Sequence, residues 1–200
     1  MNPQNLNHCP ELLLEHPAAW NKVIRRRLFF DHNIWFPSRV WYEDIRTIPK
    51  LYLHAQKILY QKRPLYNYVR REGSIMNSAS CGRNLEIIEA MDDLFAYYQQ
   101  YGGQQYRNQL VYAAFHHQLI AATVRVNQID RGNPAVARLR EDFFERCPDY
   151  KRNPYIRNLG WKERLLFFLI RHRLYRCLHW VGLAARRAGR QLPARMEQGG

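Results

Sequence analysis

Between residues 82 and 147, apolar side chains recur every three or four positions, and this spacing constrains the fold more than any other feature. The first predicted helix could be capped by Asn84, and Gly102-Gly103 would end it. A second helix is predicted over 104–128, and Asn133-Pro134 would open a third. The sequence therefore predicts a C-terminal helical bundle within residues 81–200.

Residues 1–80 follow a different pattern, in which short apolar runs alternate with prolines and turn signals. A helix is predicted from Glu43 to Ala55, although Pro49 would kink it or mark its true start. Two short strands are predicted at 57–61 and 65–69. The expected fold class is thus α/β, or more fully a mostly helical α+β fold, with an N-terminal unit at 1–80 and a helical region at 81–200.

The charge balance favours polyanionic partners. The chain has 31 Lys and Arg against 17 Asp and Glu, which gives a net charge of +14. Such a field attracts nucleic acid, an anionic membrane surface or phosphorylated substrates. No recognised nucleic-acid-binding motif accompanies the charge, so nucleic acid is not the partner we predict.

Half of the excess charge lies in a predicted helical tail at residues 160–190. The stretch 162–190 contains eight basic residues and one acidic residue. Apolar residues are interleaved with the cations: Trp161, Leu165, Phe168, Leu169, Leu174, Leu178 and Trp180. This pattern has two interpretations, attachment to an anionic membrane surface or packing of an amphipathic helix on the core of the same chain.

The cysteine and histidine residues indicate neither disulfides nor a metal centre. The four cysteines are widely spaced, as expected for free thiols in a reducing compartment. No set of four ligands has the spacing of a structural zinc site. The polar N-terminus and the lack of a long apolar run predict a cytoplasmic protein. Membrane contact, if any, would be peripheral, on the inner membrane.

A candidate functional segment extends from Trp20 to Ser78. Its distinguishing pieces follow in the order Trp20-Asn21-Lys22, Phe36-Pro37, Tyr42-Glu43-Asp44, 64–68, Arg70 and 73–75. In this order and spacing, over about 60 residues, the segment resembles the second half of the catalytic domain of bacterial family-2 glycosyltransferases, which have the GT-A fold.

The resemblance implies an inverting transfer from a nucleotide-sugar donor to a glycan or lipid-linked acceptor, in surface polysaccharide or lipopolysaccharide synthesis. Asp44 would be the catalytic base, because it matches the Glu-Asp motif of the family. Glu43 and Tyr42 would bind the acceptor. Lys22, Arg70 and Arg71 would offset the charge of the departing diphosphate.

The sequence also departs from this family. It contains no Asp-x-Asp motif and no opening apolar strand, so the donor-binding half is expected to be missing. The chain alone should then bind no cofactor, and Mg or Mn is expected only if a half bearing that motif is supplied. We therefore expect an acceptor-side fragment that is inactive by itself.

Two alternatives stay open at this point. Glu43 and Asp44 could be solvated carboxylates at a helix N-terminus, where the helix dipole favours them. The whole chain could be a non-catalytic basic protein that binds a membrane surface or a partner through residues 160–190.

Overall fold

The computed structural model describes residues 4–61, 63, 65–67, 69 and 80–178, and helices dominate them. The helices are α1 (Arg26–Asp31), α2 (Glu43–His54), α3 (Glu86–Gln100), α4 (Arg107–Ala113), a π-helical segment (Ala114–Ala122), α5 (Thr123–Ile129), α6 (Ala135–Arg146), α7 (Pro154–Arg157) and α8 (Trp161–Arg171). Short 3-10 turns lie at Pro10–Leu14, Ala19–Asn21, Gly82–Leu85, Gln104–Tyr106 and Tyr150–Arg152.

A continuous central helix organises the fold. It consists of α4, the π-helical segment and α5, which follow one another without a break. The π-helical segment contacts α3, α6 and α8, so it lies in the middle of the bundle. Its side chain Gln118 is fully buried and donates to the Leu139 carbonyl at 3.0 Å and to Asp142 at 2.7 Å. These bonds satisfy a polar group that would otherwise be costly to bury.

One hydrophobic core includes residues from both sides of the boundary predicted near residue 80. Leu13 and Ile45 come from the N-terminal side, and Leu94, Leu119 and Phe143 from the C-terminal side. All five are buried in the same cluster. Since the two sides pack on each other through apolar contacts, removing either side would expose part of this core.

The three helices predicted between 82 and 147 are confirmed, with two corrections. Gly102 follows α3 with a φ of 75°, and the Asn133 side chain accepts a hydrogen bond of 3.0 Å from the Ala135 N–H at the start of α6. Asn84 does not cap α3, because its buried amide donates to the Ser80 carbonyl at 2.7 Å. The second predicted helix contains the π-helical segment, which the periodicity does not indicate.

Helix α2 begins at Glu43 as predicted, and Pro49 lies inside it. Pro49 has no N–H to bond the carbonyl one turn earlier, which normally weakens a helix. The ring is instead buried against the core, and the Tyr98 hydroxyl donates a hydrogen bond of 2.7 Å to the Pro49 carbonyl. Tertiary packing on α3 therefore holds a helix that its local sequence would interrupt.

The strands predicted at 57–61 and 65–69 are not present where the structure describes these residues. Ile58 forms the bridge to Gln4, and its described neighbours have no regular structure. Leu59, Leu65 and Val69 are exposed, so these three apolar side chains do not form a buried face that could stabilise a sheet. The described chain is thus mainly helical, and a GT-A-like α/β arrangement of residues 1–80 stays a prediction.

The basic tail begins as predicted with α8, but it is not one helix. Arg173 has a φ of 59° and separates α8 from a second helical stretch at 175–178. Leu169, Ile170 and Leu178 are buried in the core. Trp180 and the rest of the predicted tail lie outside the described residues. No helix in the ranges given above is long and apolar enough to cross a membrane.

Candidate functional site

The predicted catalytic motif lies at the N-terminal end of α2. Tyr42 precedes the helix in a left-handed conformation, with a φ of 62°. Glu43 is exposed, and Asp44 is half-buried in the first turn. The Asp44 Oδ1 accepts a hydrogen bond of 2.8 Å from the Ile45 N–H. A carboxylate in the first turn of a helix interacts favourably with the helix dipole.

Of the predicted cations, Lys22 is close enough to Asp44 for their charges to interact. Burial lowers the pKa of Lys22, and the negative charges of Asp44 and Glu15 oppose that effect. The Lys22 Nζ donates to the carbonyls of His16 and Ala18 at 2.8 and 2.9 Å and to the Asn21 Oδ1 at 2.6 Å. All three of its donors are thus occupied, and a diphosphate would have to displace at least one.

Tyr42 is fixed by a network that ties α2 to the central helix. Its hydroxyl donates to the Asn84 Oδ1 at 3.0 Å and accepts from the Arg125 Nη1 at 3.1 Å. Burial raises the pKa of Tyr42 to about 12, although the nearby guanidinium of Arg125 acts in the opposite direction. Tyr42 is therefore a neutral phenol at physiological pH, and its hydroxyl is already engaged within the protein.

Arg125 lies next to Tyr42 and is a candidate site residue that the sequence interpretation missed. Its guanidinium is half-buried and contacts two neutral oxygens, those of Tyr42 and Asn84. No carboxylate within the described ranges forms an ion pair with it, whereas Arg46 and Arg146 pair with Glu89 and Asp92. A half-buried cation without a carboxylate partner can bind an external oxyanion. The sequence signal is a single arginine between two valines, Val124 and Val126.

A narrow cavity lies along α2, between this helix, the turn at Pro10–Leu14 and the central helix. It is lined by Ile45, Ile48, Glu15 and His117, among others. Burial lowers the pKa of His117 to about 3, with smaller contributions from His116, His16 and Arg125. The cavity has a volume of about 10 Å³, which is room for about one water molecule. A sugar ring could enter only if the surrounding side chains moved.

A larger depression lies on another part of the surface. It measures about 410 Å³ and is lined by Leu14, Tyr112, Pro154, Tyr155 and Asn158. The volume is in the range of small-molecule sites. Its lining contains no carboxylate, histidine or lysine, and its polar side chains are two tyrosines and one asparagine.

The remaining predicted site residues can be placed only in part. Arg70 and Arg71 lie outside the described residues, so their predicted role in diphosphate binding stays a prediction. Among the residues that the structure does describe, no group of three or more His, Cys, Asp or Glu could hold a metal ion. The four cysteines are free thiols, and only Cys147 is buried.

Comparison with known proteins supports a relation to glycosyltransferases in general. The chain is 28% identical over 102 residues to the processive diacylglycerol beta-glycosyltransferase of Mycoplasma genitalium. The match covers 51% of this chain, and it spans only 30% of the length of the relative. No family model matches the chain, and no solved structure matches it. The similarity concerns glycosyltransferases as a class and does not single out family 2 or the GT-A fold.

Proposed function

We propose that this chain is the acceptor-side part of a glycosyltransferase and that Asp44 is its catalytic base. The observation that carries the proposal is the similarity of half of the chain to a glycosyltransferase. Asp44 is half-buried in the first turn of α2, and this position is compatible with the role of a base. Assignment to family 2 with a GT-A-like layout belongs to the same proposal and rests on the motif order from Trp20 to Ser78.

The proposed step is a single displacement with inversion. The oxygen of an acceptor hydroxyl attacks the anomeric carbon of a nucleotide sugar while the bond from that carbon to the diphosphate breaks. Asp44 accepts the hydroxyl proton, and its Oδ2 is the atom we assign because Oδ1 accepts the Ile45 N–H. The acceptor would be a glycan or a lipid-linked molecule, and Glu43, which is exposed, would contact it.

Charge on the departing diphosphate requires a cation nearby. Arg125 suits this role better than Lys22, because Lys22 has all three donors occupied by its own segment. Arg70 and Arg71 are additional candidates by resemblance. Mg or Mn would enter only with a donor-binding half that carries Asp-x-Asp.

Binding and turnover by the purified chain test the proposal separately. Saturation-transfer NMR with methyl glycosides and dioctanoylglycerol should detect acceptor binding, and Asp44→Asn should weaken it by about tenfold, because a hydrogen bond to a charged group is lost. Asp31→Asn, at an exposed carboxylate on α1, is the matched control and should change nothing. Radiolabelled UDP-glucose and UDP-galactose should give no transferred sugar.

Each possible result has a distinct meaning. If no acceptor binds, or if Asp44→Asn and Asp31→Asn behave alike, the acceptor-site proposal is wrong. If the chain transfers sugar and Asp44→Asn abolishes the transfer, Asp44 is supported as the base and the expectation of a missing donor half is wrong.

A further inference from the structure

Helix α8 has two apolar faces, although a helix that packs on a core needs only one. The inner face, which includes Leu169 and Ile170, is buried. The outer face carries Trp161, Leu165 and Phe168, which are 72%, 40% and 52% exposed. These three residues are spaced by four and three positions, so they lie on the same side of the helix. Leu174, just beyond the helix, is also exposed, at 43%.

Cations surround the outer face. Exposed basic residues in and just after α8 are Lys162, Arg164, Arg171, Arg173 and Arg176. The one carboxylate of the helix, Glu163, accepts a hydrogen bond from the Gly160 N–H at the helix N-terminus. Arg173 lies 3.8 Å from Glu141, and both side chains are more than half exposed. Such an exposed pair contributes little and leaves the basic field in place.

We propose that the outer face of α8 binds the surface of an anionic phospholipid bilayer. Trp161, Leu165, Phe168 and Leu174 would enter the boundary between headgroups and acyl chains, and the surrounding cations would contact lipid phosphates. The inner face is fixed to the core, so the helix would lie in the plane of the surface. The two interpretations of the tail thus apply together, one to each face of the same helix.

The charge pattern favours a lipid surface over a second copy of the chain. Two copies meeting at this face would bring together two sets of five cations, which repel each other. An anionic bilayer offers opposite charge around an apolar layer, and Trp in particular prefers that boundary. The inference does not depend on the proposed transferase activity.

Vesicle flotation of the full chain tests the inference. We expect binding to vesicles of mixed phosphatidylglycerol and phosphatidylcholine that weakens with added salt, and little binding to phosphatidylcholine alone. The double variant Trp161→Ala/Phe168→Ala should lower the partition coefficient by at least about tenfold. Lys162→Gln/Arg164→Gln should lower it by roughly tenfold on anionic vesicles only.

Two controls make the result specific to α8. Phe30→Ala removes an aromatic ring that is also 52% exposed but belongs to α1, and it should leave vesicle binding unchanged. Asp44→Asn should bind vesicles like the unaltered chain, so a failure of the transferase proposal would not affect this test.

Several outcomes would overturn the inference. One is absence of binding to anionic vesicles, and another is equal binding to neutral and anionic vesicles. A third is a loss of vesicle binding in Phe30→Ala as large as that in Trp161→Ala/Phe168→Ala. The same holds if sedimentation velocity without lipid shows a dimer that Trp161→Ala/Phe168→Ala abolishes, because the face would then be covered by a second copy.

Discussion

The Arg125 guanidinium and the Tyr42 hydroxyl, 83 residues apart in sequence, are joined by a hydrogen bond of 3.1 Å. Tyr42 directly precedes the first residue of α2, and Arg125 belongs to the central helix. The bond therefore fixes the end of α2 that carries Glu43 and Asp44 relative to the middle of the bundle. The Asn84 Oδ1 accepts hydrogen bonds from both Tyr42 and Arg125. These three residues form a junction that also holds the segment before α3.

From this junction we predict that Tyr42→Phe lowers the free energy of unfolding. The substitution keeps the ring but removes the hydroxyl, so Arg125 and Asn84 each lose a partner in a half-buried site. We expect the free energy of unfolding to fall by about 1–2 kcal/mol, measured by urea denaturation. Tyr60→Phe, at a position exposed to solvent, should change it by less than about 0.5 kcal/mol. Equal effects of the two substitutions would show that the Tyr42 hydroxyl contributes no net stability.

The contacts of Arg146 lead to a second prediction, that loss of a nearly buried ion pair lowers the free energy of unfolding more than loss of an exposed one. It contacts Asp92, Asp142 and Gln118 at 2.6–2.7 Å and joins α3, the central helix and α6. Arg146→Met would leave the Asp142 carboxylate and the Gln118 amide oxygen without this donor. We expect a loss of about 2–4 kcal/mol, mostly from the groups left unpaired.

Arg107→Met is the matched comparison for Arg146→Met. The Arg107–Asp149 pair has a similar length of 3.0 Å, but both of its side chains are half exposed. Its loss should cost only about 0–1 kcal/mol. If urea denaturation gives similar losses for both variants, burial does not govern the strength of these pairs.

The sequence predicted the helices of this fold better than it predicted the site. Spacing of apolar residues locates α3 and α6, because each of these helices buries one continuous stripe. The hydrogen bonds among Tyr42, Asn84 and Arg125 join positions 41 to 83 residues apart. A local sequence pattern therefore does not indicate them. By residue type, Asn84 suits a helix cap, but two of its three hydrogen-bond partners, Tyr42 and Arg125, are distant in sequence.

The strand prediction failed for a related physical reason. Residue types such as Ile, Leu, Tyr and Val fit a strand, but a strand is stable only when neighbours bury one of its faces. Ile58 forms an isolated β-bridge with Gln4, and the described residues that follow it up to residue 69 form no sheet. In α8, by contrast, the composition correctly indicated an amphipathic helix, and only the structure shows that two of its faces are apolar.

The turn after α3 predicts a steric effect at Gly103. A Cβ atom there would lie 2.5 Å from the Cδ1 of Tyr98, whose ring is buried. Gly103→Ala must therefore move Tyr98 or the turn, and we expect a loss of about 1–3 kcal/mol in unfolding free energy. Gly82→Ala, where a Cβ meets nothing within 4 Å, is the control and should be nearly neutral. A neutral Gly103→Ala would mean that the Tyr98 ring shifts without cost.

The lowered pKa of His117 leads us to predict that the folded chain loses stability as pH falls. Burial lowers its pKa in the folded chain to about 3, whereas an unfolded histidine has a pKa of about 6.5. Between these values the unfolded chain binds a proton that the folded chain does not, so acid favours unfolding. The stabilising contribution is thus complete above pH 6.5 and is lost as pH falls towards 3. His54, whose pKa burial also lowers, acts in the same direction.

Urea denaturation of the unaltered chain and of His117→Gln at pH 7.5 and pH 5.0 isolates this contribution, because every other titrating group is common to both proteins. The unaltered chain should lose about 1–2 kcal/mol more than His117→Gln between the two pH values. Equal losses would mean that His117 takes up a proton in the folded state at pH 5. The cavity beside α2 would then have to admit more solvent around the imidazole than its lining by Ile45 and Ile48 implies.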